Sequence, residues 1–325
     1  MRRASAVPVT SCNIPHETFK IKPMHKVLGP VCIILALAAG CNKPETTPPK
    51  KAVQETTLVI GLIPEQHIFD QVERYKPLAD YLSKRIGAKI KLKVLSRYGN
   101  IIDNFVSNGM DAAFFGSFTY TLAHAKLGVQ VLARPEDLDG RSTYYGMIIV
   151  RRDSGIRTAR DMEGKRFAFV DKATTAGYLL PLNYFHKNGI RNYRAYLKET
   201  YFAGTHEDVI YDVLTKKADI GAAKNTIYDK LMKEDDRIKK EMLVIEKSPD
   251  VPENGLAVRK DLDDTLKEKL RDALLRMHEN PKGLSVLKNF GARRFIETTD
   301  LDYEPVVRYA RESGLNLATY DYMNE

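Results

Sequence analysis

The chain has 325 residues, 43% hydrophobic and 29% charged, with 20 Gly, 15 Pro and no Trp; this composition belongs to a folded globular chain and excludes disordered, collagen-like and polytopic membrane architectures. Lys and Arg number 51 against 42 Asp and Glu, a formal +9, but residues 1–40 hold five cations (Arg2, Arg3, Lys20, Lys22, Lys26) and one anion (Glu17), so the remaining 285 carry an excess of only five. That excess is scattered and forms no continuous stripe, so no nucleic-acid partner is expected, while a small anionic ligand suits it.

After Lys26 comes an uncharged run, Val27 to Gly40, ending at Cys41. Fourteen residues of helix are too few to cross a hydrocarbon core that needs about 20. A basic region, a short apolar stretch and small residues at its end make a secretory signal peptide over residues 1–40. Leu37-Ala38-Ala39-Gly40-Cys41 resembles the bacterial lipobox, in which the signal is cut before the Cys and that Cys is lipidated. Met24-His25-Lys26 would itself make a compact start. Residues 41–56 carry Pro44, Pro48 and Pro49 among Lys, Glu and Thr without apolar periodicity, and read as an extended tether. With Cys12 and Cys32 in the signal and Cys41 acylated, the exported domain keeps no thiol, so a disulfide framework, a Cys metal site and a Cys nucleophile drop out.

From Thr57 short apolar runs alternate with amphipathic helices. Thr57 to Ile63 reads as a buried strand. Pro77 opens a helix with Leu78, Tyr81, Leu82 and Ile86 on one face, and Gly87 closes it. Lys89 to Leu95 alternates strictly, as an exposed or edge strand does. Further strands are expected at Ala112 to Phe115, Val129 to Ala133, Tyr144 to Arg151, Arg166 to Val170, Thr200 to Phe202, Ile220 to Ala223, Met242 to Ile245 and Gly255 to Arg259. The class is α/β with largely parallel sheets.

Tyr98 to Ala113 superposes on His206 to Gly221 at a constant offset of 108, matching Ile102 with Ile210, Phe105 with Val213 and Asp111 with Asp219. Both segments read as helix, tight turn, strand, which points to two similar α/β lobes, a division that suits a chain of this length. Tyr98 and His206 then hold the same place, the start of a helix, and helix starts in open α/β sheets face the ligand crevice.

The sharpest local signal is Arg166 to Pro181, RFAFVDKATTAGYLLP. A buried strand runs into a polar loop of small hydroxyl residues and then into an apolar helix. Thr174 or Thr175 can cap that helix, and the N–H groups of Thr175, Ala176 and Gly177 are free at its start. With the positive end of the helix dipole they form an oxyanion site. The plainer reading of the same turn is an ordinary helix cap.

Asp171-Lys172-Ala173-Thr174-Thr175-Ala176-Gly177-Tyr178-Leu179-Leu180-Pro181 resembles the Asp-Pro-x-Ser-Thr-Ser-Gly-[Tyr/Phe]-Leu-x-Pro loop of the phosphate/phosphite/phosphonate-binding proteins of ABC transporters. Three more ordered landmarks fit: Tyr98-Gly-Asn-Ile-Ile leading to Met110–Gly116, Ser142-Thr-Tyr-Tyr-Gly-Met-Ile-Ile-Val150, and Gly204-Thr-His206-Glu. The likeness covers nearly all of Thr57 to about Asp300. It implies that Tyr98, Tyr144, Thr174, Thr175, Ala176 and His206 hold the ligand's oxygens, by hydroxyl, N–H and imidazole donors. Each has a structural alternative: Tyr98 packing its ring, Tyr144 in the core with Tyr145 facing the ligand instead, His206 merely starting a helix. Ala176 lacks the hydroxyl of the family pattern and can offer only its N–H. Members that take aminoethylphosphonate use two carboxylates for its amine. Here the first region reads Ala222-Ala-Lys224-Asn225-Thr226-Ile227 without an acid, and the second ends Glu253-Asn254, with Asn where the acid would align and Glu253 one residue away. An ammonium buried without a carboxylate is costly, so phosphite, phosphate or methylphosphonate is expected over 2-aminoethylphosphonate.

The expected architecture is the two-lobed periplasmic-binding-protein type II fold, with residues 57–146 plus 248–325 in one lobe, 147–247 in the other, and a hinge of two crossover strands at Tyr145 to Met147 and Lys247 to Pro249. The expected function is a substrate-binding lipoprotein of an ABC importer, a monomer without cofactor or metal, exported, held to the membrane by the lipid on Cys41 and facing the periplasm or cell exterior. Its partners would be a small oxyanion and an ABC permease. The competing readings are a lipid-anchored sensor presenting its ligand to a membrane histidine kinase and, with no G-x-S-x-G or H-E-x-x-H motif in the chain, an enzyme on the same fold.

Overall fold

The computed structural model describes residues 56–324; the expected signal peptide, the expected lipidation at Cys41 and the expected tether up to residue 55 lie outside the described residues. The chain opens with β1 (Thr57–Leu62), α1 (Ile68–Ile86), β2 (Lys89–Val94), α2 (Asn100–Ser107), β3 (Ala112–Phe115), α3 (Ser117–Leu127) and β4 (Gln130–Asp137). The short β5 (Thr143–Tyr144) then leads into β6 (Gly146–Arg151), β7 (Arg166–Phe169), α4 (Leu180–Lys187), α5 (Tyr193–Tyr196), β8 (Glu199–Phe202), α6 (His206–Leu214) and β9 (Ile220–Lys224). α7 (Asn225–Glu234), α8 (Asp236–Glu241), β10 (Met242–Lys247), β11 (Val251–Pro252) and β12 (Gly255–Val258) bring the chain back. α9 (Asp264–Leu275), α10 (Pro281–Phe290), β13 (Ala292–Glu297) and α11 (Glu304–Glu312) complete it.

Two large sheets result, one per lobe, and β5 and β11 pair as a third sheet of two strands. The first has six strands in the order β13-β4-β12-β3-β1-β2, the second five in the order β10-β6-β9-β7-β8. Both are mixed, which corrects the expectation of largely parallel sheets. β1 pairs parallel with β2 and β3, and β7 parallel with β8 and β9, as helix crossovers require. The reversed strands include the two that change lobes. β6 carries the chain out and lies antiparallel between β9 and β10; β12 follows its return and lies antiparallel between β3 and β4. A strand arriving from the other lobe enters the sheet from the end at which the others leave it, so its direction is inverted.

The two passages run side by side. Tyr144 pairs with Val251, Met147 with Lys247, and Gly146 donates its N–H to Ser248 Oγ at 2.9 Å while its carbonyl accepts from the Ser248 N–H at 3.0 Å. A Cβ on Gly146 would lie 2.8 Å from the Ala176 Cα, so only glycine lets this strand lie against that loop.

Local differences have local causes. α1 begins nine residues before Pro77, which sits inside the helix. Pro77 removes the donor to the carbonyl of residue 73, and Glu73 is exposed, so water can satisfy that oxygen. The buried face is as expected, with Leu78, Tyr81, Leu82 and Ile86 inside and Gly87 left-handed at φ 70°; each buried leucine contributes about 2 kcal/mol. β13 escapes the pattern because a bulge between Ala292 and Arg294 puts its buried residues, Ala292 and Phe295, out of alternation. α1, α9 and α10 cover one core against the first sheet and α4 another against the second. A third cluster runs through both lobes and contains Tyr98, Tyr144 and Ala176.

Candidate functional site

β7 ends at Phe169, and the chain turns through Asp171 before a single π turn, Thr175–Leu179, leads into α4. The turn is held by Asp171. Its carboxylate accepts from the Ala173 N–H at 2.8 Å and from Asn324 Nδ2 at 2.9 Å, and its carbonyl accepts the Thr174 N–H at 3.0 Å. Thr174 occupies the N-cap position but makes no side-chain cap; its hydroxyl donates instead to the Asp171 carbonyl at 2.7 Å. Thr174 therefore shapes the turn rather than capping the helix. Gly177 is where the turn is tightest: a Cβ there would sit 2.4 Å from Val170 Cβ.

Across the crevice, α3 starts at Ser117 after Gly116, a glycine that offers no side-chain cap. The cap comes from the other lobe: Thr175 Oγ1 accepts the Phe118 N–H at 3.0 Å, and Thr119 Oγ1 donates to the Ala173 carbonyl at 3.0 Å. The starts of two helical segments thus face one another, with the positive ends of both dipoles turned inward. Tyr144 is 4% exposed, and its hydroxyl meets Ser117 and Thr175; burial raises its pKa. Tyr145, its neighbour, is only half-buried and turns outward, its ring 4.9 Å from Lys247 Nζ. Ala176 is buried.

Tyr98 and His206, the equivalent positions of the internal repeat, come together. Their rings lie 5.9 Å apart, edge to face at 77°. The strands of the repeat, β3 and β9, keep the offset of 108, since Ala112 and Ile220 each begin one. His206 is the first residue of α6, whereas Tyr98 stands two residues before α2. His206 is buried, and its Nδ1 accepts the Lys224 N–H at 3.2 Å, which leaves the ring proton on Nε2. Burial, with Lys224 adding to it and Glu65 opposing, holds the imidazole pKa down at about 3, so the ring is neutral. The Tyr98 hydroxyl is buried and, among the described residues, finds no hydrogen-bond partner. Burial first, then Glu65 and Tyr144, push its pKa well up, so it stays protonated and able to donate.

One group was not anticipated from the sequence. Lys224 ends β9 fully buried, and its ammonium donates to Glu65 Oε1 at 2.9 Å, to Glu253 Oε1 and to Asn254 Oδ1 at 3.3 Å. Burial works against its charge, but Glu253 and Glu65 prevail and hold its pKa above the usual value. Glu65 follows β1 and Glu253 follows β11, so this ion pair joins the lobes. The only sequence sign was one charged residue closing an otherwise small and apolar run. Glu253, one residue from the aligned position, does turn its carboxylate inward, to the lysine.

Lys224, Glu65 and Glu253 also line a groove of about 920 Å³ that opens to solvent. None of Tyr98, Tyr144, Thr174, Thr175, Ala176 and His206 lines it, so Lys224 stands between the groove and the inner polar cluster. The groove as a whole is lined by eight acidic residues against five basic ones; the chain's overall positive excess is not concentrated there. Among the described residues no three His, Cys, Asp or Glu converge as metal ligands, and no helix is long and apolar enough to cross a membrane.

The family model for the periplasmic substrate-binding protein of phosphonate ABC transporters matches residues 60–303. The phosphonates-binding periplasmic protein of Escherichia coli is 30% identical over 262 residues, covering 79% of this chain and 77% of its own. The phosphate-import protein PhnD of Mycolicibacterium smegmatis is 27% identical over 229 residues, covering 66% and 69%. The structure of PhnD1 from Prochlorococcus marinus in complex with methylphosphonate superposes with a TM-score of 0.70 at 19% identity, over 80% of this chain and 98% of that one. Sequence match and shared two-lobed fold agree: the chain belongs to the periplasmic substrate-binding proteins of ABC phosphonate transporters.

Proposed function

We propose that this protein captures a small phosphorus oxyanion, phosphite, phosphate or an alkylphosphonate such as methylphosphonate, between its lobes and delivers it to an ABC permease. The observation that carries this reading is the Tyr98 hydroxyl, a buried donor without a partner beside neutral His206. A hydroxyl buried unsatisfied costs about 1–3 kcal/mol, a cost that an anion accepting its proton removes. Tyr98, Tyr144, Thr175 and His206 supply side-chain donors, Ala176 its N–H at the helix start, and Thr174 the shape of the turn. The paired strands around Gly146 and Ser248 form the hinge, and closure shuts out water and strengthens every one of these contacts. The relatives named for phosphonate and for phosphate carry the same class of ligand. Calorimetric titration checks this: Tyr98→Phe is expected to weaken methylphosphonate and phosphate binding about 10- to 100-fold, as loss of a hydrogen bond to a charged group does, without lowering the melting temperature of the ligand-free protein. Equal affinity in the two proteins would contradict the assignment.

The lipobox-like run before Cys41 and the proline-bearing spacer after it support a lipid anchor with the domain on a tether. Cys41→Ser is expected to move the protein from the membrane fraction to the soluble fraction of the cell envelope; an unchanged distribution would remove the anchor.

A further inference from the structure

Lys224 holds a position that an ordinary structural lysine does not. It is 2% exposed, yet its ammonium reaches three oxygen acceptors at once, on Glu65, Glu253 and Asn254, one for each of its protons. All three belong to segments joined to the first sheet, while the lysine closes a strand of the second. On its inner side it touches the oxyanion donors: its N–H binds His206 Nδ1, and Nζ sits 4.3 Å from the centroid of the Tyr144 ring. On its outer side it lines the groove.

Building on the oxyanion reading, we propose that Lys224 is a specificity residue: a tethered ammonium that occupies, on closure, the acid-lined space where a ligand's own amine would sit, so that the site accepts phosphorus oxyanions with a small neutral substituent and rejects aminoalkylphosphonates. The charges support this. Lys224 is ion-paired to both Glu65 and Glu253, and Arg74 adds a weaker attraction to Glu65, so a further ammonium would meet like charge at close range. The carboxylates were not lost from this site; they are engaged by the chain itself. Removing the lysine would leave a void about the length of an aminoalkyl arm, with two carboxylates facing it. Unpaired buried carboxylates are strongly unfavourable, and a ligand ammonium is the group that would relieve them.

The test is calorimetry on the purified protein with methylphosphonate, ethylphosphonate and 2-aminoethylphosphonate, for wild type, Lys224→Ala and the double variant Lys224→Ala with Glu253→Gln, the last keeping one carboxylate should the single variant fold poorly. Wild type is expected to prefer ethylphosphonate over 2-aminoethylphosphonate at least tenfold, and either variant to shift that ratio towards the amine by about 30-fold or more. A ratio unchanged in both variants, with wild type still binding the alkylphosphonates, would overturn the role of Lys224 alone. Wild type binding none of the three would overturn the alkylphosphonate reading and this inference with it, and wild type preferring 2-aminoethylphosphonate would overturn the inference while leaving the phosphonate reading intact.

Discussion

Thr175→Val is expected to weaken oxyanion binding about 100-fold, from two losses at one atom. Thr175 Oγ1 accepts the Phe118 N–H and so caps α3 from across the crevice, where Gly116 provides no cap of its own. Its proton remains available for Tyr144 or for an anion. Valine has nearly the same shape, so the loop keeps its packing, but in the closed form Phe118 keeps a buried N–H without an acceptor, which costs about 1–3 kcal/mol, and the ligand loses a donor to its charge. In the open form the same N–H meets water. The penalty therefore falls on closure and on affinity rather than on the fold. Calorimetry against methylphosphonate measures the first and thermal melting without ligand the second. Thr175→Ser, which restores the oxygen, should bind within a few-fold of wild type. A valine variant of unchanged affinity would place the ligand elsewhere.

Acid stability should report His206. Its folded pKa of about 3 lies below the unfolded value near 6.5. Between those values the unfolded chain takes up a proton that the native state refuses, so the stability of the neutral, buried ring is fully present above about pH 6.5 and is lost as the pH falls towards 3. The slope approaches 1.4 kcal/mol per pH unit for one such proton. Glu65, lowered against burial by its Lys224 pairing, adds to the loss only below its ordinary carboxylate range; Asp171, raised by burial, acts in the opposite sense. Comparison with His206→Gln cancels both. Urea titrations at pH 7, 6 and 5 should show wild type losing about 1–2 kcal/mol more than His206→Gln across that span. Parallel pH profiles would mean that the imidazole titrates normally and is not held neutral in the closed crevice.

Much of this was legible in the chain because it rests on local rules. Buried runs such as Ile220 to Ala223 announce strands, Gly87 ends α1 as a left-handed cap, and the repeat gives Tyr98 and His206 matching places in the two lobes. What was hidden depends on contacts far apart in sequence. Lys224 is one charged residue after a small apolar run, and what makes it a buried ion pair is Glu65, 159 residues away. The Thr174 hydroxyl could equally have capped the helix; the turn around Asp171 sends it backwards. Sheet direction is not legible in the chain because alternation of helix and strand does not reveal which strands have crossed from the other lobe. The scattered positive charge suits an anion carrier in bulk, yet the groove is lined by more acidic than basic residues, so the proposed capture relies on neutral donors inside and not on long-range attraction.

A crystal structure of the protein grown with methylphosphonate tests the central claim most directly. The phosphorus should lie in the closed crevice, its oxygens within hydrogen-bond distance of the Tyr98 and Tyr144 hydroxyls, the Thr175 side chain and His206 Nε2, with Lys224 still paired to Glu65. Density only in the outer acidic groove, or oxygens that leave the Tyr98 hydroxyl unpartnered, would contradict it.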